Sequence, residues 1–247
     1  MTYKTEGIII KRSSFKEADL LLKVFTPAKG KITVISKGAR KIKSKMAGSL
    51  DLFYLNNFMF AEGKNFDTLC SAETKERFLF LREDLGKLGK AYYLAEILDK
   101  IIPDREPNPA VYREFIKALN GLKISPELAL SIFEIRIFSK LGFGPELESC
   151  VNCHESLDPG KCSLSKNFGG VLCHDCFRKD PEAYAVSDNA IKLMRMMLRF
   201  DQDIIIKVSN LDELLMEIKK FNESYIEKIL HRSLKSKQFI AKVNIIN

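Results

Sequence analysis

The sequence has no long apolar run and no recognisable export signal. Its 247 residues contain no stretch of about eighteen consecutive apolar residues, the length that a membrane-spanning helix needs. The segment that begins at Met1 also lacks the apolar stretch and cleavage site of a secretory signal. We therefore expect a cytoplasmic protein that does not enter the membrane.

The sequence is also poor in the motifs of common enzyme classes. It has no Gly-x-x-x-x-Gly-Lys-Ser/Thr loop for nucleoside triphosphates and no Gly-x-Gly-x-x-Gly after a strand. It has three histidines, and two of them lie beside cysteines, which leaves little for general base chemistry. Acidic pairs such as Glu146/Glu148 and Asp201/Asp203 are typical of a charged surface. These absences favour a non-catalytic protein.

Acidic residues are missing from one stretch of the chain. The formal net charge is +8 and the pI is about 9.1, which indicates a polyanionic partner. No Asp or Glu occurs between Asp19 and Asp51. The cations of this interval are Lys23, Lys29, Lys31, Lys37, Arg40, Lys41, Lys43 and Lys45.

The same part of the chain has the period-two alternation of short β-strands. Turn residues at Pro27–Gly30 and Glu62–Asn65 separate two pairs of these segments. Five short strands in about eighty residues, without a longer helical pattern, predict a small β-barrel of the OB type. The predicted strands are Gly7–Arg12, Leu20–Phe25, Lys31–Ser36, Leu52–Ala61 and Phe66–Thr74.

The basic segment Lys37–Lys45 connects the third and fourth predicted strands. It could be a solvated loop, or it could contact phosphates, as loops of such barrels do in nucleic-acid-binding proteins. We favour phosphate contact, because the segment has no acidic residue of its own to neutralise its charge. The residues predicted to contact nucleic-acid phosphates are Lys11, Arg12, Lys29, Lys31, Lys37, Arg40, Lys41, Lys43 and Lys45.

Aromatic residues alternate with these basic stretches. Most of them are expected in the core, because alternating Phe in a strand normally faces inward, and one or two on the outer face could stack on bases. The aromatics concerned are Phe15, Phe53, Tyr54, Phe58, Phe60 and Phe66.

Two cysteine pairs, Cys150-x-x-Cys153 and Cys173-x-x-Cys176, are separated by nineteen residues. Two thiols with two residues between them can bind one ion, and a second pair completes the tetrahedron that Zn²⁺ prefers. Because a reducing cytosol disfavours disulfides, we predict one structural Zn²⁺; disulfides or a vestigial site are the alternatives. Four thiolates leave no open coordination position for catalysis.

The two other cysteines have no Cys-x-x-Cys partner. Cys162 is expected to be a small buried or surface residue, and Cys70, within a predicted strand, is expected in the core. A redox role for the paired cysteines remains an alternative, although neither pair lies at the junction of a predicted strand and helix.

From about Arg82 apolar residues recur at helical spacing. The sequence thus predicts an α+β multi-domain protein, in which an N-terminal OB-fold β-barrel precedes an all-α domain with an embedded four-cysteine zinc finger. The helices are expected before Pro103, from Pro107 to Gly121, from Ser125 to Leu141, from Ser187 to Phe200 and from Asn210 to His231. The predicted segments are the barrel at 1–80, helical parts at 81–144 and 181–247, and the zinc finger at 145–180.

The ordered combination of these segments resembles the RecO family of bacterial recombination mediators over nearly the whole chain. No single motif is diagnostic, and the zinc finger occurs in many but not all members. The segments that carry the resemblance are Tyr3–Lys11, Glu17–Leu22, Phe25–Lys31, Lys37–Lys41, Ser49-Leu50, the four paired cysteines and the tail His231–Ser236.

The resemblance implies a DNA repair protein that binds single- and double-stranded DNA and anneals complementary strands. It implies action with RecR, and often RecF, in loading RecA onto strands coated by single-stranded DNA-binding protein, in the cytoplasm at the nucleoid. Two rivals stay open from the residues alone. These are a zinc-containing regulator or RNA-associated factor with sequence preference, and a thiol redox sensor.

Overall fold

The computed structural model describes residues 1–44 and 46–246, with side chains as far as residue 240. Two compact units make up this chain. The first extends from Met1 to Ile116, and the second begins at Lys117. The predicted boundaries at residues 80, 144 and 180 are finer than this division and remain predictions.

The first unit contains a closed five-stranded barrel with the strand order β1-β2-β3-β5-β4. The ladders are antiparallel except for a short parallel pairing of β3 with β5, and β1 closes the barrel against β4. This is the OB-type barrel expected from the sequence. The strands are β1 (Thr2–Phe15), β2 (Asp19–Thr26), β3 (Gly30–Ser36), β4 (Leu55–Ala61) and β5 (Asp67–Glu76).

The isoleucine run of β1 is buried on both faces of the strand. Ile9 belongs to the barrel core, which also includes Leu22, Val34 and Phe60. Its neighbours Ile8 and Ile10 are buried as well, and a register shift interrupts the β1–β2 ladder between Ile9 and Lys11. Strands covered on both faces have continuous rather than alternating apolar residues.

Helix α1 (Leu85–Ile101) packs against β1 within the first unit. The helix begins at an N-cap, Asp84, whose carboxylate accepts a hydrogen bond from the Lys87 N–H at 3.0 Å. It ends before Pro103, as predicted, since the residue before a proline is disfavoured in a helix. Helix α2 (Pro109–Gly121) follows, and the boundary between the two units falls within it.

The second unit is mainly helical, and its core lies between α3, α4 and α6. Ser187 caps α4 by accepting a hydrogen bond from Ala190 N–H at 3.1 Å, and the buried Arg136 of α3 donates to the carbonyl of Met197 near the end of α4. The helices are α3 (Pro126–Lys140), α4 (Asp188–Arg199), α5 (Gln202–Ile205), α6 (Leu211–Leu230) and α7 (Lys235–Ile246).

A small three-stranded sheet lies between α3 and α4 in the sequence. Its strands are β6 (Ser163–Ser165), β7 (Gly170–Leu172) and β8 (Tyr184–Ala185), with β6 in the centre. The order of barrel, helices and embedded cysteine module is therefore confirmed. Among the described residues, no helix is both long and apolar enough to span a bilayer.

Candidate nucleic-acid interface and metal centre

The basic segment between β3 and β4 is fixed to the turn that joins β1 and β2. The carboxylate of Asp19 accepts a hydrogen bond from the Gly38 N–H at 2.8 Å, and the Arg40 N–H donates to the Ala18 carbonyl at 2.9 Å. The Arg40 guanidinium also donates to the carbonyl of Glu17 at 3.2 Å. Two loops that are distant in sequence therefore form one surface at the same end of the barrel.

We call this surface the cationic tip. The side chains of its cations are exposed, and none of their ammonium or guanidinium groups forms an ion pair with a carboxylate of the described chain. Unpaired cations at a shared end of a barrel produce a positive potential that attracts phosphate. The residues of the cationic tip are Lys16, Lys37, Arg40, Lys41 and Lys43.

Lys16 was not among the residues predicted from the sequence. It lies in the turn between β1 and β2 with a positive φ of 52°, and its ammonium lies 5.6 Å from the centroid of the Phe15 ring. Unlike Lys11 and Arg12, which belong to the first predicted strand, Lys16 lies between predicted strands and before the interval without acidic residues. The signal that could have found it is its position in the loop between the first two strands, one of the loops with which OB folds bind oligonucleotides.

Three predicted DNA-binding residues are exposed on the barrel outside the cationic tip. Lys11 is exposed on β1, four residues before Phe15. Arg12 pairs with Asp51 at 3.7 Å, and Lys29 pairs with Glu62 at the same distance. These ion pairs are solvent-exposed and weak, so they do not prevent contact with phosphate. Lys45 lies outside the described residues.

The structure places Lys31 where a DNA-binding residue is not expected. Its side chain is 4% exposed, and its ammonium lies 3.2 Å from Asp99 and 3.3 Å from Asp104. Lys23 of β2 also pairs with Asp99, at 2.6 Å. Burial opposes ionisation of Asp99, but Lys23 and Lys31 outweigh it and lower the pKa of Asp99. Lys31 thus holds α1 on the barrel, and we leave it out of the DNA-binding surface.

The burial of the barrel's aromatic residues largely agrees with the prediction. Phe53, Phe58 and Phe60 are buried. Phe66, in the loop between β4 and β5, is 38% exposed, and Phe15 is half-buried. Phe66 and Phe15 are therefore the aromatics of this set with surface available to a base.

The four paired cysteines converge in the second unit. The Sγ atoms of Cys150, Cys153, Cys173 and Cys176 all lie within 4.8 Å of one another. Cys173 directly follows β7, so the sheet positions the second pair beside the first. Leu172 is buried against Cys150 and Cys176 in a small apolar cluster.

Backbone N–H groups and neighbouring sulfurs have opposite effects on these thiols. Burial disfavours the thiolate of Cys150, yet the N–H groups of Cys153, Cys173 and Asn152 outweigh it and lower the pKa of Cys150 to about 6. At Cys153 the N–H of Glu155 favours the thiolate, but the adjacent sulfurs outweigh it and raise its pKa to about 12. Four sulfurs this close cannot all ionise unless a cation compensates their charge.

The geometry fits a tetrahedral metal. A Zn–S bond of about 2.3 Å implies sulfurs about 3.8 Å apart in a regular tetrahedron. The Sγ atoms of Cys153 and Cys173 are 3.7 Å apart. The Asn152 amide donates to the Cys176 sulfur at 3.1 Å, and the Cys173 N–H donates to the Cys150 sulfur at 3.4 Å, as N–H groups do toward thiolates that bind metal. The four cysteines could therefore hold one metal ion.

The two remaining cysteines have different environments. Cys162 is buried, which is one of the two placements expected for it. Burial raises the pKa of its thiol. The prediction that Cys70 is a core residue is wrong, because Cys70 is exposed. On β5 the neighbouring residues Asp67 and Leu69 are buried, so the alternation of the strand directs Cys70 outward.

Comparisons with known proteins cover nearly all of the chain. A family model described as recombination protein O N terminal matches residues 1–78, and one described as recombination protein O C terminal matches residues 82–238.

Individual relatives are similar over almost their whole length. The DNA repair protein RecO of Listeria monocytogenes serotype 4a is 30% identical over 98% of this chain and 94% of its own. The protein of the same name from Dehalococcoides mccartyi is 32% identical over 95% of this chain and 93% of its own. That from Desulforamulus reducens is 28% identical over 98% and 94%, respectively.

Proposed function

The chain belongs to the recombination protein O (RecO) family of DNA repair proteins, and on this premise we propose that it binds DNA through the cationic tip and anneals complementary strands. The observation that carries the proposal is a set of exposed cations, without ion-pair partners among the described residues, that two loops present at one end of an OB-type barrel. OB folds bind single strands in the same way, with cations along the backbone and aromatics on the bases.

Annealing by such a surface requires no catalytic residue. Two complementary strands repel each other through their phosphates, and the cations of the tip reduce this repulsion when both strands are bound. Lys37, Arg40, Lys41 and Lys43 supply charge at closely spaced positions, so more than one phosphate can be contacted at once. We therefore propose a non-catalytic protein whose binding weakens steeply with salt.

We further propose that the four cysteines hold one structural Zn²⁺. When bound, Zn²⁺ would supply four bonds that fix the segment around Cys150 to the sheet that precedes Cys173. The sulfur ligands favour Zn²⁺ over Mg²⁺ or Ca²⁺, which prefer oxygen. In this role the ion stabilises the second unit and does not contact DNA.

Membership of the RecO family also supports a proposal about the partners of this protein. We propose that the protein acts in the cytoplasm at the nucleoid, with RecR and RecF, on single strands coated by single-stranded DNA-binding protein. On such strands it would help to load RecA.

The test is annealing of two complementary labelled oligonucleotides, with and without the cognate single-stranded DNA-binding protein. The protein should accelerate annealing in both conditions, and replacement of Arg40, Lys41 and Lys43 by Ala should remove most of the acceleration. Several unrelated oligonucleotide pairs should respond equally. No acceleration, together with tight binding of one DNA or RNA sequence at fixed salt, would instead indicate a sequence-specific regulator.

A further inference from the structure

Ile42 is an isolated aliphatic side chain at the centre of the cationic tip. Its relative exposure is 104%, the highest of any large hydrophobic residue in the described chain. It lies between Lys41 and Lys43, and both of these are exposed. A fully hydrated isoleucine contributes no burial to the stability of the fold.

The exposure of Ile42 follows from the turns that surround it. The Lys41 N–H donates to the Gly38 carbonyl at 3.1 Å, and the Ser44 N–H donates to the Lys41 carbonyl at 2.9 Å. Ile42 thus occupies the second position of the turn from Lys41 to Ser44, and its side chain is exposed there. At the base of the loop, Ala39 is buried in the barrel core. The loop is therefore attached to the barrel at Ala39, whereas Ile42 is fully exposed.

The chemistry around Ile42 limits what could cover it. A partner must offer negative charge to Lys41 and Lys43 and, between these charges, an apolar surface to Ile42. A single strand of nucleic acid offers both, because its phosphates alternate with the faces of unstacked bases. Aliphatic side chains also contact base faces when they are inserted between base steps.

We propose that Ile42 contacts the bases of the bound strand while its cationic neighbours contact the phosphates. The proposal rests on the proposed function, since it assigns a base-contacting residue to the same DNA-binding surface. The contact does not depend on base identity, because every base has an apolar face. It also does not release counterions, so it adds affinity without adding salt dependence.

The experiment compares a single-stranded oligonucleotide with one of equal length that contains a run of abasic sites. Ile42→Ala should weaken binding of the normal strand about fivefold at fixed salt, the scale expected for partial burial of an aliphatic side chain. It should leave the affinity for the abasic strand and the slope of log affinity against log salt unchanged. Ile124→Ala, at a residue that is 66% exposed in the second unit, is the control for loss of exposed apolar surface.

Lys41→Ala separates this proposal from the proposed function. It should weaken both strands equally and reduce the salt slope by about 0.7, the contribution of one phosphate contact on a single strand. Equal effects of Ile42→Ala on normal and abasic strands, or no effect, would overturn the base contact even if Lys41→Ala behaves as expected. If Lys41→Ala also has no effect, the cationic tip is not the DNA-binding surface.

Discussion

The cationic tip of the first unit and the cysteine cluster of the second are both conspicuous in the sequence, but their side chains differ in exposure and in hydrogen bonding. The cations of the tip are exposed and lack ion-pair partners among the described residues. The cysteines lie close together, with Cys150 and Cys176 buried and hydrogen-bonded through their sulfurs. Groups that are buried and held by hydrogen bonds support the fold, whereas exposed charges without a partner among the described residues remain available to one.

Lys31 shows that residue type alone does not decide whether a residue supports the fold or is available to a partner. It lies in the same barrel and the same basic interval as Lys37, but it is buried against Asp99 and Asp104, whereas Lys37 is exposed. What distinguishes Lys31 from Lys37 is therefore whether the ammonium has a carboxylate partner within the described chain, not the unit in which the residue lies.

The largest effect is expected at the cysteine cluster. Replacement of both Cys150 and Cys173 by Ser should abolish metal binding and lower the melting temperature by about 10 °C or more, because binding of a structural metal contributes several kcal/mol to folding. Metal content and thermal unfolding of the full chain provide the measurement. Cys70→Ser, at an exposed cysteine outside the cluster, is the matched control and should melt like the parent.

At a temperature where the double variant remains folded, its affinity for DNA should be close to that of the parent. A double variant that loses DNA binding while it stays folded would place DNA-binding chemistry in the second unit. Unchanged melting would show that the cluster is not a structural metal site.

A smaller effect is expected from Lys31. Lys31→Met removes a buried ammonium and leaves Asp99 with Lys23 as its remaining lysine partner, which should lower the free energy of unfolding by about 2 kcal/mol. Its affinity for DNA should not change. Lys37→Met should show the opposite pattern, with unchanged stability and weaker binding. Denaturant unfolding and DNA titration of both variants test these opposite expectations. If folded Lys31→Met binds DNA more weakly than the parent, Lys31 contributes to DNA binding after all.

Local patterns predicted the elements of the barrel because alternation and turn residues are properties of a few neighbouring residues. The third predicted strand, Lys31–Ser36, differs from β3 by one residue at its start. The burial of Lys31 could not be predicted in this way, because its partner Asp99 lies 68 residues further along the chain. The orientation of Cys70 was missed because a one-residue change in strand register reverses the face.

Spacing predicted the cysteine cluster, since two Cys-x-x-Cys pairs at this separation are typical of a metal site. The strands that support it were not predicted, because β6 and β7 have three residues each and β8 has two, too few to show a period. The contribution of Lys16 to the cationic tip was missed for a different reason. Its position in the loop between the first two strands was an available signal. The joining of that loop to the basic segment was not, because it depends on hydrogen bonds such as that from Gly38 to Asp19, which are 19 residues apart.

The assignment of DNA binding to the cationic tip is tested most directly by the salt dependence of DNA binding for two variants that lose the same charge. One replaces Arg40, Lys41 and Lys43 by Ala in the cationic tip, and the other replaces Lys161, Arg178 and Lys179, exposed cations of the cysteine module, by Ala. The tip variant should bind single strands at least about tenfold more weakly, with a salt slope reduced by about 2, whereas the module variant should match the parent. The opposite result, or equal effects of the two variants, would contradict the assignment of DNA binding to the barrel.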